Sequence, residues 1–183
     1  LATDSELGFA SAVNRQTAHG HDVIGRINVT IERPDGLEAL RQGALESLNE
    51  VINQVTERAG VGREEIYEAT VVGNATMMHL FLGIDPSSLG QLPYIATVGD
   101  AVDIEAAKLG LDLHPSAWAH VLPNIAGFVG GDTVGVILAA GFDEDDGRTR
   151  MVADIGTNCE IALRLGDRLI VTSTPAGPAF EGA

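Results

Sequence analysis

The chain is poor in cysteine, in lysine and in positive charge generally. Among 183 residues there is one cysteine, Cys159. That excludes an internal disulfide framework, a Cys-based zinc site and a Cys-ligated iron–sulfur cluster. The only lysine, Lys108, does not follow a glycine-rich loop, so no G-x-x-x-x-G-K-[ST] phosphate loop is present. Lys and Arg total 11 against 26 Asp and Glu, a net charge of −15. Such a surface repels phosphate backbones and anionic headgroups, so no nucleic-acid or membrane partner is expected. No apolar run approaches the ~20 residues of a membrane span. Leu1 is followed by no signal-peptide pattern, and a cytoplasmic location is expected. What is present is a hydrophobic fraction of 45%, enough for a core and too much for global disorder.

Apolar spacing then sets the elements. Residues 7–13 read as a short strand, while 23–29 are apolar at mixed spacing and are assigned to no element. After the Pro34-Asp35-Gly36 turn, Leu37, Leu40, Ala44, Leu48, Val51, Ile52 and Val55 recur at threes and fours, which predicts a helix capped by Gly60. Residues 66–72 read as a buried strand, 75–82 and 104–109 as helices, and 119–122 as a strand. A small-residue helix follows over 133–140. The acidic run 143–146 reads as a solvated linker. Beyond it, 150–154, 159–165 and 169–173 read as consecutive hairpins with glycine turns.

Three segments could carry chemistry. At Asp154-Ile155-Gly156-Thr157-Asn158, a tight turn between strands can leave backbone N–H groups pointing at one concavity, as phosphate oxygens require. Thr157 and Asn158 add donors, and Asp154 could hold Mg²⁺ through water. A plain hairpin turn is the alternative. At Gly130-Gly131-Asp132-Thr133, Asp132 fits a helix cap, or a general base facing a phosphate. At Gly73-Asn74-Ala75-Thr76, a strand-to-helix junction, Asn74 and Thr76 fit either caps or a ligand crevice. His79 fits an ordinary helix histidine, and no histidine has metal-site spacing. Cys159 reads as a small buried hydrophobe.

Together these segments resemble a known pattern. Residues 152–160 (VADIGTNCE) are similar to the second phosphate loop of the actin, sugar-kinase and heat-shock-chaperone ATPase superfamily, and 131–141 (GDTVGVILAAG) to its connecting helix. More narrowly, 14–27 (NRQTAHGHDVIGRI), 71–85 (VVGNATMMHLFLGID), 122–133 (LPNIAGFVGGDT) and 174–182 (TPAGPAFEG) resemble the ATP-dependent reductive activators of corrinoid proteins.

The resemblance implies an α/β fold of two RNase-H-like, actin-like ATPase lobes, both incomplete. Residues 1–142 would form most of the first lobe with the connecting helix, and 147–183 the start of the second. It implies ATP and Mg²⁺ as ligands, with a [2Fe–2S] cluster only in an N-terminal domain outside this chain. Asp154, Gly156, Thr157 and Asn158 would contact phosphate and Mg²⁺, Asp132 would position water, and Gly177 and Gly182 would approach the nucleotide. Asn74 and Thr76 would face the same crevice.

The implied activity is ATP-driven electron transfer that returns Co(II) to Co(I) in a corrinoid protein or corrinoid-dependent methyltransferase. The 183 residues read as an internal piece of such an activator, since the first phosphate loop would precede Leu1. Cys159 stands where the family usually has glycine. A non-catalytic interaction module and a small-molecule kinase of the same superfamily are the competing readings. The open lobe edges leave room for a homodimer.

Overall fold

The computed structural model describes residues 6–142, 144, 147–156 and 158–175. The element order is α1 (Val23–Glu32), α2 (Gly36–Ala59), β1 (Glu68–Val71), α3 (Ala75–Leu82), β2 (Val102–Glu105), α4 (Ala106–Leu109), β3 (Trp118–Val121) and α5 (Gly131–Ala139). Then come β4 (Arg150–Ile155), β5 (Asn158–Leu165) and β6 (Arg168–Pro175). Two three-stranded sheets result, ordered β1-β3-β2 and β4-β5-β6. The first mixes a parallel pair, β1 with β3, and an antiparallel pair, β2 with β3. The second is an antiparallel meander, as its glycine turns predict.

Helix α2 begins at the Pro34-Asp35-Gly36 turn and ends at Gly60, whose φ of 67° suits a residue without Cβ. Its apolar stripe reaches the main core, where Leu45 joins Met78 and Phe81 of α3, Ala106 and Leu109 of α4, and Ala119 and Val121 of β3. A smaller cluster of Ile137, Phe142 and Ala162 joins α5 to the second sheet. There Arg150 donates to the carbonyls of Ala140 and Gly141, at 3.2 and 2.8 Å, and Arg164 to those of Phe142 and Glu144. These guanidinium groups satisfy carbonyls left open where α5 ends.

Three expectations are corrected and one open segment is assigned. Residues 7–13 form no strand. They run along α2, with Phe9 O accepting from Arg58 at 2.6 Å and Val13 O from Ser47 at 3.4 Å. Residues 23–29 belong to α1, because Asp22 caps it by accepting from Gly25 N–H at 2.6 Å. The strand over 66–72 shortens to β1 and is only half-buried, since it lies at a sheet edge. Ile104 and Glu105 pair with β3 as part of β2, and the helix begins only at Ala106. Asp143, Asp145 and Asp146 of the acidic run lie outside the described residues. Among the described residues no helix is long and apolar enough to cross a membrane.

Candidate nucleotide site

Helices α3 and α5 start side by side. A Cβ on Gly130, the residue preceding α5, would stand 2.6 Å from Asn74 Cα and 2.7 Å from Ala75 N. Asp132 N–H donates to Gly73 O at 3.0 Å, which stitches the two starts together. The block at 14–27 brings in a third helix start. Asn14 Oδ1 accepts from Gln16 N–H at 2.9 Å, buried Gln16 donates to Leu40 O at 2.9 Å, and buried Arg26 donates to Gly20 O at 3.1 Å. These bonds fix the loop that leads into α1, and Val23 and Ile24 of its first turn face the same space. Aligned peptide dipoles and unpaired N–H groups make helix starts favourable to anions.

Between these starts and the second sheet lies a cavity of about 50 Å³. Asn74, Ala75 and Thr76 line it from α3, Asp132 from α5, and Asn158 and Glu160 from β5. Ile24, Ile27, Leu89 and Phe128 supply its apolar side. Four of the residues singled out in sequence, Asn74, Thr76, Asp132 and Asn158, therefore converge although up to 84 positions separate them. The volume suits a few waters or the tip of a ligand. A second cavity, about 200 Å³ between 12–16, α2, β1 and α3, is largely apolar and holds none of them.

Each polar wall has its own chemistry. Asn74 caps α3, its Oδ1 accepting from Met77 N–H at 2.9 Å. The N–H groups of Ala75 and Thr76 and the hydroxyl of Thr76, a residue only 5% exposed, have no partner among the described residues. Opposite them are acceptors. Asp132 sits inside the first turn of α5, where its Oδ1 accepts from Thr133 N–H at 2.8 Å. Glu160 Oε1 accepts from the Ser173 hydroxyl at 2.9 Å.

Glu160 is the residue that sequence reasoning left without a role. Register explains its place. Asp154, Glu160 and Ser173 are direct cross-strand partners, so they form one row across β4, β5 and β6. The neighbouring row, Val152-Ala162-Val171, packs on α5. Alternation along β5 puts Asn158 and Glu160 on that same side and half-buried Cys159 on the other. Burial raises the Glu160 carboxyl above the ordinary glutamate range. The charges of Asp132 and Asp154 push it the same way, while the Ser173 hydroxyl pulls it back.

The turn itself departs from expectation at Gly156. Its N–H donates to Asn158 O at 2.8 Å and closes the hairpin, so this N–H is not open to a ligand. Asp154 is exposed at the end of β4. Thr157, Gly177 and Gly182 lie outside the described residues. His79, an ordinary helix histidine in sequence, is buried; its Nδ1 lies 2.7 Å from Ala75 O, and Nε2 accepts from Thr97 N–H at 3.0 Å.

Comparison with known proteins shows the chain's family. Residues 1–145 match the family described as the RACo middle region, and 148–183 match the C-terminal domain of RACo, the ASKHA domain. This chain belongs to the RACo family. It is 38% identical over 177 residues to the corrinoid activation enzyme RamQ of Eubacterium limosum, covering 97% of this chain and 29% of the relative. Over 62 residues it is 42% identical to a [Co(II) methylated amine-specific corrinoid protein] reductase of Methanosarcina barkeri, covering 34% of this chain and 11% of that protein. A solved structure of a reductive activator for corrinoid, iron-sulfur protein superposes with a TM-score of 0.85 at 40% identity, covering 93% of this chain and 27% of that one. The chain thus spans under a third of the length of these RACo-type relatives. Its family carries the actin-like ATPase fold that the resemblance implied.

Proposed function

We propose that this chain is the ATP-binding and hydrolysing module of a reductive activator that drives electron transfer onto the Co(II) corrinoid of a partner protein, a methyltransferase or its corrinoid subunit. The observation that carries the reading is the convergence of Asn74, Thr76, Asp132 and Asn158 on one cavity at three helix starts. Among the described residues no lysine or arginine lines this cavity, so it would hold a triphosphate through backbone N–H groups, neutral donors and a metal ion. The cavity offers the first two at Ala75, Thr76 and Asn158. Residues 1–142, with their connecting helix, and the meander from 147 onward form the two walls of this reading.

Mg²⁺ fits the donor set. Asp154 and Glu160 oppose each other in register, and like charges so placed repel unless a cation lies near. Asp154 would hold the ion through its water shell, and Mg²⁺ there would neutralise charge on phosphate oxygens. Asp132 orients the attacking water. Thr157, Gly177 and Gly182 complete the nucleotide contacts in this reading. A [2Fe–2S] cluster would belong to residues outside this chain.

Calorimetric titration of MgATP into the full natural polypeptide containing this chain tests the proposal. Binding that Asp154→Ala abolishes is the expected result. No binding, or binding indifferent to Asp154→Ala, rejects it.

A further inference from the structure

The sheet β1-β3-β2 buries one face and opens the other to solvent. Ala119 and Val121 of β3 point into the main core. Trp118 and His120, which alternate with them, point the opposite way. Register fixes their neighbours on that outer face. Glu68 of β1 and Glu105 of β2 flank Trp118, while Thr70 and Asp103 flank His120. Trp118, the chain's only tryptophan, is 51% exposed there. Its indole is a large apolar plate with an electron-rich face turned to water.

The charges on this face decide what can cover it. Asp103 pairs with His120, and Glu105 pairs with Lys108 at 2.8 Å. Exposed Glu68 has no ion pair or side-chain hydrogen bond among the described residues. The open charge is therefore negative, and strand spacing sets it about 5 Å from the Trp118 backbone. Because β1 and β3 run parallel, both residues stand at the starts of their strands. The cavity described above lies past the other end of β1, at Asn74, and shares none of these residues.

We propose that Trp118 and Glu68 form a docking site for an arginine side chain presented by a partner protein. The site does not depend on nucleotide binding in the cavity. A guanidinium stacks flat on an indole while its edge N–H groups stay free for a carboxylate, so one arginine satisfies both residues. A lysine ammonium is a compact, strongly hydrated point charge and matches the pair less well. An acidic segment would be repelled by Glu68, and a neutral one would leave it unpaired. Arginine and tryptophan are also the residues that most often anchor protein interfaces. The chain's net charge of −15 adds long-range attraction for a cationic partner.

The full natural polypeptide containing this chain provides the test, with hexa-arginine and hexa-lysine peptides as probes. Hydroxyl-radical footprinting read by mass spectrometry should show Trp118 oxidised in the free protein and protected when hexa-arginine is added. In calorimetry at physiological salt, Trp118→Ala is expected to weaken hexa-arginine binding about tenfold, the loss of a desolvated cation–π contact. Glu68→Gln should weaken it about threefold, and this exposed position decides the matter if Trp118→Ala does not fold. Hexa-lysine should bind wild type more weakly and respond less to Trp118→Ala.

Trp118 already shielded in the free polypeptide would overturn the inference, because the chain's own residues would then cover the face. Hexa-arginine that leaves Trp118 unprotected, or that binds both variants as tightly as wild type, would overturn it too. So would hexa-lysine matching hexa-arginine, which would assign the binding to the acidic surface as a whole.

Discussion

Gly130 rests against Asn74 so closely that a β-carbon on it would lie 2.6 Å from Asn74 Cα. The neighbour is backbone and cannot swing aside, so the starts of α3 and α5 are held at a distance only glycine permits. This contact is what brings a donor wall and an acceptor wall to the same cavity.

Gly130→Ala should therefore separate the two helix starts. Overpacking of this kind costs about 1–3 kcal/mol. A thermal melt should show a lower Tm, and nucleotide affinity should fall along with it. Unchanged affinity in a folded Gly130→Ala variant would mean that the spacing of α3 and α5 does not matter to the ligand.

Asn74 serves the helix and lines the cavity, and two substitutions separate those roles. Asn74→Ala removes the cap from Met77 N–H and should cost about 1 kcal/mol in chemical denaturation. Asn74→Asp keeps the cap and favours the helix dipole. It also adds a negative charge to the lining, so it should preserve stability and weaken nucleotide binding. A variant that binds ATP as well as wild type would remove Asn74 from the ligand's surroundings.

His79 holds the loop at 97–98 onto α3. Its Nε2 accepts from Thr97 N–H at 3.0 Å and Val98 N–H at 3.4 Å, while Nδ1 pairs with Ala75 O. His79→Ala would strand two backbone donors and open a void. The expected loss is about 2–4 kcal/mol, read from the urea midpoint.

Glu160 links stability to pH. Its proton affinity is higher in the folded state than in an unfolded chain. Ionising it therefore opposes folding: the penalty is absent at low pH and grows as pH rises through the raised value. In magnesium-free buffer, Glu160→Gln should melt above wild type at neutral pH, and the difference should close toward about pH 4. A gap that stays constant with pH would show that the carboxyl titrates as it does in the unfolded chain.

The local elements were legible because each is written in local chemistry. The helix from Gly36 to Gly60, the cap at Asn74, the helix over 75–82 and the three-stranded meander all follow from apolar spacing and glycine turns. Mixed apolar spacing leaves residues 23–29 unassigned, and there Asp22 decides α1 through one side-chain cap. β2 has no such local mark, because Val102–Glu105 is a strand only by pairing with β3 some 16 residues later. Residues 7–13 have strand composition, but α2 and not a ladder satisfies their carbonyls.

The site divides along the same line. The sequence by itself determined that any phosphate-binding segment here lacks a lysine-bearing glycine loop, because composition and motif order are properties of the chain alone. Only the tertiary structure decided that Asn74, Thr76, Asp132 and Asn158 share one cavity. It also decided that Gly156 spends its N–H inside the turn, and that Glu160 lines the same cavity as Asp132. Those outcomes depend on cross-strand register and on the close approach of Gly130 to Asn74. Both are long-range packing relations, and no local pattern of residues encodes them.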